Sequence, residues 1–298
     1  MPVQRGVMHN RTAKHYLLFI ASFLLLTFSR IGAQPVLEIG TQKQAEEIRI
    51  VSLSPNVTET LHALDAGSYL VGRSDYCNYP EEVVELPSVG TLYNPSLETL
   101  LSLEPTVVIS SAFVSDDFLA SVEKAGIEVV QLETQQTFQG TYELIRKIAE
   151  VVGKQSEAEL IILSMQNTVR EVVNTYQNKS KPSVYMVIDF GGFDATATGD
   201  TFLGEMIELA GATNVAKSAK NWTFSKELLM AADPEILLLN PRWGESAEAT
   251  IQEFTTTKPY SDLNGKIISF DADSTSRQGP RSADALKALA ELIHQETN

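Results

Sequence analysis

Short apolar runs alternate with amphipathic stretches along this chain, and the alternation comes in two blocks. Ile48-Arg49-Ile50-Val51-Ser52-Leu53 reads as a buried strand, followed by a turn at Ser54-Pro55-Asn56 and a helix from about Val57 to Leu64. Tyr69 to Gly72, Thr106 to Ser110 and Glu128 to Leu132 have strand length and composition, and Val114 to Ala125 is a helix that stops at Gly126. Strands that alternate with helices in this way predict parallel βαβ units. From Gln139 to about Asn178 the strand signal vanishes. Leu144, Ile148 and Val151, then Leu160, Leu163, Val169, Val172, Val173 and Tyr176, recur at helical spacing, and Gly153 divides the stretch into two helices. The second, about Ser156 to Gln177, would be about 33 Å long at about 1.5 Å per residue, enough to cross between two lobes. After Lys181-Pro182 the alternation resumes: a strand over Ser183 to Ile188, a helix over Thr201 to Ala210 ended by Gly211, strands over Ile236 to Leu239 and Ile267 to Phe270, and a closing amphipathic helix over Ala283 to His294.

The predicted architecture is therefore α/β, with two Rossmann-like lobes bridged by a single long α-helix. The N-terminal lobe is expected over residues 46–152, the bridging helix over 153–180 and the C-terminal lobe over 181–298. A local pattern is repeated between the halves. Ser96-Leu97-Glu98 leads to Glu104-Pro105 and the strand Val107-Val108-Ile109; Ser225-Lys226-Glu227 leads to Asp233-Pro234 and the strand Ile236-Leu237-Leu238. Proline after the acidic residue stops a helix and starts an extended segment.

The N-terminus differs in kind. Arg5, Arg11 and Lys14 precede an apolar run from Tyr16 to Phe28, and small residues follow at Gly32-Ala33. That is the layout of a secretory signal peptide over residues 1–33, with an uncleaved anchor as the alternative, and it predicts an exported, periplasmic protein. No cysteine lies close behind the run to carry a lipid. Residues 1–33 hold four of the 23 basic residues and none of the 38 acidic ones, leaving 19 basic against 38 acidic, a net charge of −19. Such a surface repels nucleic acid and anionic lipid, so no nucleic-acid partner is expected. The single cysteine, Cys77, permits no internal disulfide, and burial is its expected state.

Catalytic and metal chemistry find little support. The four histidines are His9, His15, His62 and His294, and no cluster has metal-ligand spacing. No phosphate loop, dinucleotide fingerprint or nucleophile elbow is present. Neither an enzyme, a cofactor nor a bound metal is expected.

A small-molecule site is concave and largely apolar with a few directed polar groups, and in open α/β sheets it lies beyond the carboxyl ends of the strands. Residues just after each predicted strand are thus the candidates for ligand binding: Tyr76 and Tyr79 after Tyr69–Gly72, Tyr93 after Val89-Gly90, and Phe113 after Val107–Ser110. In the second half they are Phe193, in the loop with Phe190 and Gly191-Gly192, Arg242 and Trp243 after Ile236–Leu239, Arg277 after Ile267–Phe270, and Trp222 in the linker before the Ser225 helix. Aromatic side chains suit a ligand with a large apolar face, and arginines suit carboxylate, phosphate or amide-rich edges. Arg281, just after Pro280 at a helix start, could equally be structural.

The stretches Arg49-Ile50-Val51-Ser52-Leu53-Ser54-Pro55 with Thr58-Glu59, Asp75-Tyr76-Cys77-Asn78-Tyr79-Pro80, Val89-Gly90, Asn94-Pro95-Ser96-Leu97-Glu98 and Gly279-Pro280-Arg281 occur in order across residues 46–296. In them the chain resembles the periplasmic binding proteins of ABC importers for cobalamin, ferric siderophores and haem. The second and fourth stretches look most like the cobalamin-binding branch. The resemblance implies two lobes on a rigid helix with a ligand cleft between the lobes, a corrinoid as ligand (with ferric siderophore or haem as the alternative), delivery to ABC transporter permease subunits, and a monomer. It also implies that Glu59 and Glu205, each on the first helix of its half, dock onto arginines of the permease. Haem would need an axial tyrosine, for which Tyr76, Tyr79 and Tyr93 are available.

Overall fold

In the computed structural model, which describes residues 47–242, 244–270 and 275–295, each apolar run of strand length enters a parallel sheet. Strands β1 (Ile50–Ser52), β2 (Leu70–Arg73), β3 (Val107–Ser110) and β4 (Glu128–Gln131) pair in the order β2-β1-β3-β4, all parallel. The second sheet is built from β5 (Ser183–Asp189), β6 (Ala195–Thr196), β7 (Thr213–Asn214), β8 (Ile236–Leu239) and β9 (Lys266–Ser269). Its order is β6-β5-β8-β9, with β7 beside the start of β5 and only β6 antiparallel. The two-lobed α/β architecture predicted from the sequence is therefore the one observed.

Side chains on a strand alternate between faces, and the core follows that period. Ile50, Val107 and Ile109 point into one apolar cluster, while Val51, Leu53 and Val108 point into another with Leu100 and Val122. In the second sheet Val184, Met186, Ile236 and Leu238 share the first cluster, while Tyr185, Val187, Leu237 and Leu239 enter a third with Leu229, Phe254 and Tyr260. The cluster that holds residues of both sheets also takes in the inner faces of α1 (Pro55–Ala63), α4 (Phe138–Val152), α5 (Gln155–Tyr176), α6 (Phe202–Leu209) and α9 (Ser282–Gln295). One apolar core thus runs continuously from one lobe to the other. The outer faces are covered by α2 (Leu97–Ser102) and α3 (Asp116–Lys124) in the first lobe, and by α7 (Lys226–Ala232) and α8 (Ala247–Thr256) in the second.

Helix α4 ends at Gly153, whose φ of +70° is the left-handed cap that glycine supplies. The 22 residues of α5 then give a rod about 33 Å long. Its buried residues are Ala158, Ile162, Met165, Val172 and Tyr176, with Val169 packed beside them, a stripe at spacings of three and four. Leu160 and Leu163, which belong to the apolar repeat read from the sequence, lie off that stripe and are exposed.

The repeated local pattern folds alike in both lobes. Ser96 Oγ accepts the Thr99 N–H and Ser225 Oγ accepts the Leu228 N–H, so each serine caps a short helix. Glu104 and Asp233, the acidic residues before the prolines, both take positive φ, 48° and 37°. The same capped turn feeds β3 in one lobe and β8 in the other.

Candidate functional site

In the first sheet the chain leaves β1 toward β2 on one side and reaches β3 on the other. The loops after β1 and β3 therefore flank the point where the winding reverses, the usual place for a ligand in an open parallel sheet. Those loops are tied together. Ser111 N–H donates to Ser54 Oγ at 3.0 Å, Ser111 Oγ donates to Asn56 Oδ1 at 2.6 Å, and Gln131 Nε2 donates to the Ala112 carbonyl at 3.0 Å. The bonds hold the backbone just before Phe113 while its ring projects outward, 77% exposed.

The loop after β2 is anchored by Ser74 N–H to the Ser52 carbonyl at 3.0 Å and Asp75 N–H to the Gly90 carbonyl at 2.9 Å. Cys77 is its buried pin, with Sγ 3.3 Å from Ser74 Oγ. Tyr76 is half-buried and Tyr79 is exposed. Tyr93 sits in the next loop, closed by a bridge between Gly90 and Pro95, and is 81% exposed. Gly90 there has φ +98°, a conformation that costs a residue with a side chain.

At the carboxyl edge of the second sheet, residues Phe190–Asp194 form a compact loop that carries Phe193, 64% exposed. Two groups fasten it. Asp194 accepts the Gly191 N–H at 3.0 Å and the Tyr260 hydroxyl through the same oxygen, and pairs through the other with Lys226 Nζ at 3.0 Å. Burial, and then Asp194, raise the Tyr260 pKa, and the bond to Asp194 raises that of Lys226. On the other side Arg242 donates to the Phe190 carbonyl at 2.6 Å, stacks 4.1 Å from the Phe190 ring centroid, and pairs with Glu253 at 2.5 Å and Asp189 at 3.5 Å. Arg242, a candidate for the ligand, thus holds the loop's backbone. Trp222 is 38% exposed, with φ +62°. Its turn is held by Asp200, which accepts the Asn221 N–H at 3.0 Å and whose carboxyl is kept acidic by the Thr198 hydroxyl and that amide. Trp243 and the signal segment of residues 1–33 lie outside the described residues.

The lobes meet around Glu59. Its side chain is 2% exposed. Arg281 grips it in a bidentate pair, Nε to Oε2 at 2.8 Å and Nη2 to Oε1 at 2.7 Å, and Arg277 Nη1 reaches Oε1 at 2.9 Å. The same Arg277 nitrogen donates to Asn78 Oδ1 at 2.7 Å, and the Arg281 guanidinium lies 3.8 Å from the Tyr79 ring centroid. Nearby, Gln278 Nε2 donates to the Gln135 carbonyl at 2.8 Å, and Gln136 Nε2 donates to Gln278 Oε1 at 2.9 Å. Glu205 is half-buried, and its Oε2 accepts the Phe138 N–H at 2.6 Å, at the start of α4. Burial raises its pKa, against the effect of that amide. Each of the two glutamates that the sequence places at matching helix starts therefore faces a group of the other half, and neither is a bare surface charge.

Five large aromatics, Tyr79, Tyr93, Phe113, Phe193 and Trp222, thus stand exposed at or beside the carboxyl ends of the two sheets. The arginines and the lysine among them are held in ion pairs with Glu59, Asp189, Asp194 and Glu253. Tyr260 and Asp200 were not singled out in the sequence, and Asp194 stood out there only as a carboxylate paired with Asp189 near the glycine turn. Each acts at a distance of many residues and bears no local motif.

Comparison with known proteins agrees with this geometry. A family model described as a periplasmic binding protein matches residues 50–272. An uncharacterized ABC transporter substrate-binding lipoprotein YvrC of Bacillus subtilis is 28% identical, covering 85% of this chain and 82% of that protein. A vitamin B12-binding protein of Photorhabdus laumondii is 24% identical over 84% of this chain and 89% of its own. Among solved structures, the periplasmic heme-binding protein RhuT from Roseiflexus sp. RS-1 superposes with a TM-score of 0.73 at 25% identity, covering 85% of this chain and all of that one. With three quarters of its length matched and both lobes in place, the chain belongs to the periplasmic binding protein family, whose members bind and carry solutes and are not enzymes.

Proposed function

We propose that this protein captures a cobalamin-type corrinoid outside the cytoplasm and delivers it, as a monomer, to the permease of an ABC importer. The observation that carries the reading is the combination of five exposed aromatic side chains with cations that are already paired inside the protein. A corrinoid offers a broad apolar ring and a periphery rich in neutral amides. Aromatic faces supply area and contact without demanding charge. A haem or an anionic iron chelate brings carboxylates or similar groups, which call for arginine or lysine free to receive them. The strongly acidic chain works against such cargo at longer range as well.

Haem is the second reading, and Tyr79 is the residue that favours it. Its ring is 45% exposed in a loop at the carboxyl end of β2, and an adjacent guanidinium would help a phenolate bind iron. Docking to the permease through Glu59 and Glu205 would require their present contacts, with Arg277 and Arg281 and with the Phe138 amide, to be exchanged for contacts on the partner.

The test is to mix the purified chain with cyanocobalamin, haem or a ferric hydroxamate, desalt, and record the visible spectrum. Corrinoid absorbance co-eluting with protein supports the first reading. Haem absorbance alone moves the cargo to the second, and a folded protein that retains none of the three refutes both.

A further inference from the structure

Glu59 is a carboxylate with almost no access to solvent, and three charge-assisted hydrogen bonds from two arginines converge on it. Removing one partner from such a cluster leaves buried charge uncompensated, so the three groups behave as a unit. Both arginines also reach the loop after β2. Arg277 binds the Asn78 side chain through the same nitrogen that meets Glu59, and Arg281 sets its guanidinium carbon over the Tyr79 ring, 3.8 Å from the centroid. Two neighbouring residues of an exposed loop are therefore tethered, through two arginines, to one buried carboxylate on α1. The loop and the carboxylate belong to the first lobe, while the arginines come from the segment that follows the second sheet.

We infer that Glu59 is a positioning residue for the cargo site: acting through Arg281 and Arg277, it sets where the Tyr79 ring and the Asn78 side chain stand in the exposed loop after β2. One face of Tyr79 is stacked on Arg281, which leaves the rest of the ring for cargo. The ring's orientation then depends on the guanidinium, and the guanidinium's on Glu59. A planar, forked cation does this where lysine would not, because it can stack and pair at once. This inference rests on the reading of Tyr79 as a cargo contact.

The experiment is a double-mutant cycle on cyanocobalamin affinity, with circular dichroism confirming that each variant is folded. Glu59→Gln is expected to weaken binding about tenfold, and in a Tyr79→Ala background by less than about twofold, because contacting residues are coupled and distant ones are not. In a Phe113→Ala background the full tenfold loss is expected. Arg281→Lys keeps a cation beside Glu59 but loses the stack, and should reproduce both the loss and its dependence on Tyr79; it serves where Glu59→Gln does not fold. Losses that multiply freely with Tyr79→Ala, or no loss at all, overturn the inference. If the wild-type chain binds no corrinoid, the cargo reading fails by itself. Hydrogen exchange at the Tyr76–Tyr79 amides of the cargo-free protein then decides: faster exchange in Glu59→Gln sustains the positioning role, and unchanged exchange overturns it.

Discussion

Tyr260→Phe removes a single oxygen from the second lobe and tests whether the Phe193 loop is held from below. The Tyr260 ring is buried, stacked at 5.1 Å on Phe254 and edge-on at 5.7 Å to Phe190, and phenylalanine keeps that packing. What is lost is the hydroxyl that donates to Asp194 and accepts from the Gly191 amide at 3.2 Å. A hydrogen bond to a charged group contributes about 1.5–3 kcal/mol. Asp194 retains the Gly191 amide at 3.0 Å and Lys226 at 3.0 Å, so the loss falls around or below the lower limit of that range, about 1–2 kcal/mol. For a chain of this size that lowers Tm by about 2–8 °C, at roughly 2–4 °C per kcal/mol. Since the loop carries Phe193, cyanocobalamin affinity should fall by about two- to tenfold, within the cost of a loosened contact. Thermal unfolding and equilibrium binding measured on one preparation check both numbers. A variant with wild-type Tm and wild-type affinity would refute the claim that the network fastens the loop. Loss of stability with unchanged affinity would refute only the link to cargo.

Phe113→Ala and Tyr93→Ala truncate side chains that are mostly exposed, so each should leave Tm unchanged while weakening corrinoid binding by about tenfold or more, the scale of a lost aromatic contact at a binding site; titration calorimetry reads this directly. Burial raises the Glu205 pKa above its unfolded value, so its contribution to stability is fully present below the unfolded pKa and is lost as pH rises through the folded one. Glu205→Gln keeps an oxygen for the Phe138 amide without the charge, and should therefore stabilise at pH 7 and lose that advantage near pH 4, as urea titrations at the two pH values would record. Gly140→Ala, ordinarily favourable in a helix, should destabilise by about 2 kcal/mol or more, because the added Cβ would lie 2.2 Å from the Gln135 carbonyl oxygen; a shift in the urea midpoint measures it.

Strands β3 and β8 were legible because they are buried on both faces and read as unbroken apolar runs, Val107-Val108-Ile109 and Ile236-Leu237-Leu238-Leu239. The long helix was legible from its length and from Gly153, although its inner stripe passes through Ala158, Ile162 and Met165 and avoids Leu160 and Leu163. Helix α8 had escaped notice, since Ala247–Thr256 buries only Thr250 and Phe254 and so leaves a faint periodicity. At the site, strand ends pointed to aromatics that do stand exposed, because exposure at a strand's carboxyl end follows from topology. Pairings were another matter. Glu59 with Arg277 and Arg281 spans more than 200 positions, and Asp194 with Tyr260 spans 66, and no local spacing encodes such contacts. Arg242 and Arg277 looked like cations for a ligand until their carboxylate partners came into view.

The shared core bears on how cargo is recognised. Met186 and Leu238 from the second sheet, Ile50 and Ile109 from the first, and the inner stripe of α5 belong to one apolar cluster. Spreading the lobes far apart would open that cluster to water, at about 25 cal/mol for each Å² of apolar surface exposed. Phe138 and Phe202, whose rings meet at 5.1 Å between α4 and α6, would be among the first to separate. The ion pairs of Glu59 and the Gln278 hydrogen bonds resist the same motion from the polar side. Cargo must then be read by surfaces already in place and not by a large closure, which suits a broad, rigid ring better than a flexible chain. On this reasoning X-ray scattering should detect almost no change in radius of gyration when cyanocobalamin binds, and a substantial contraction would show that the core divides where it is drawn here as continuous.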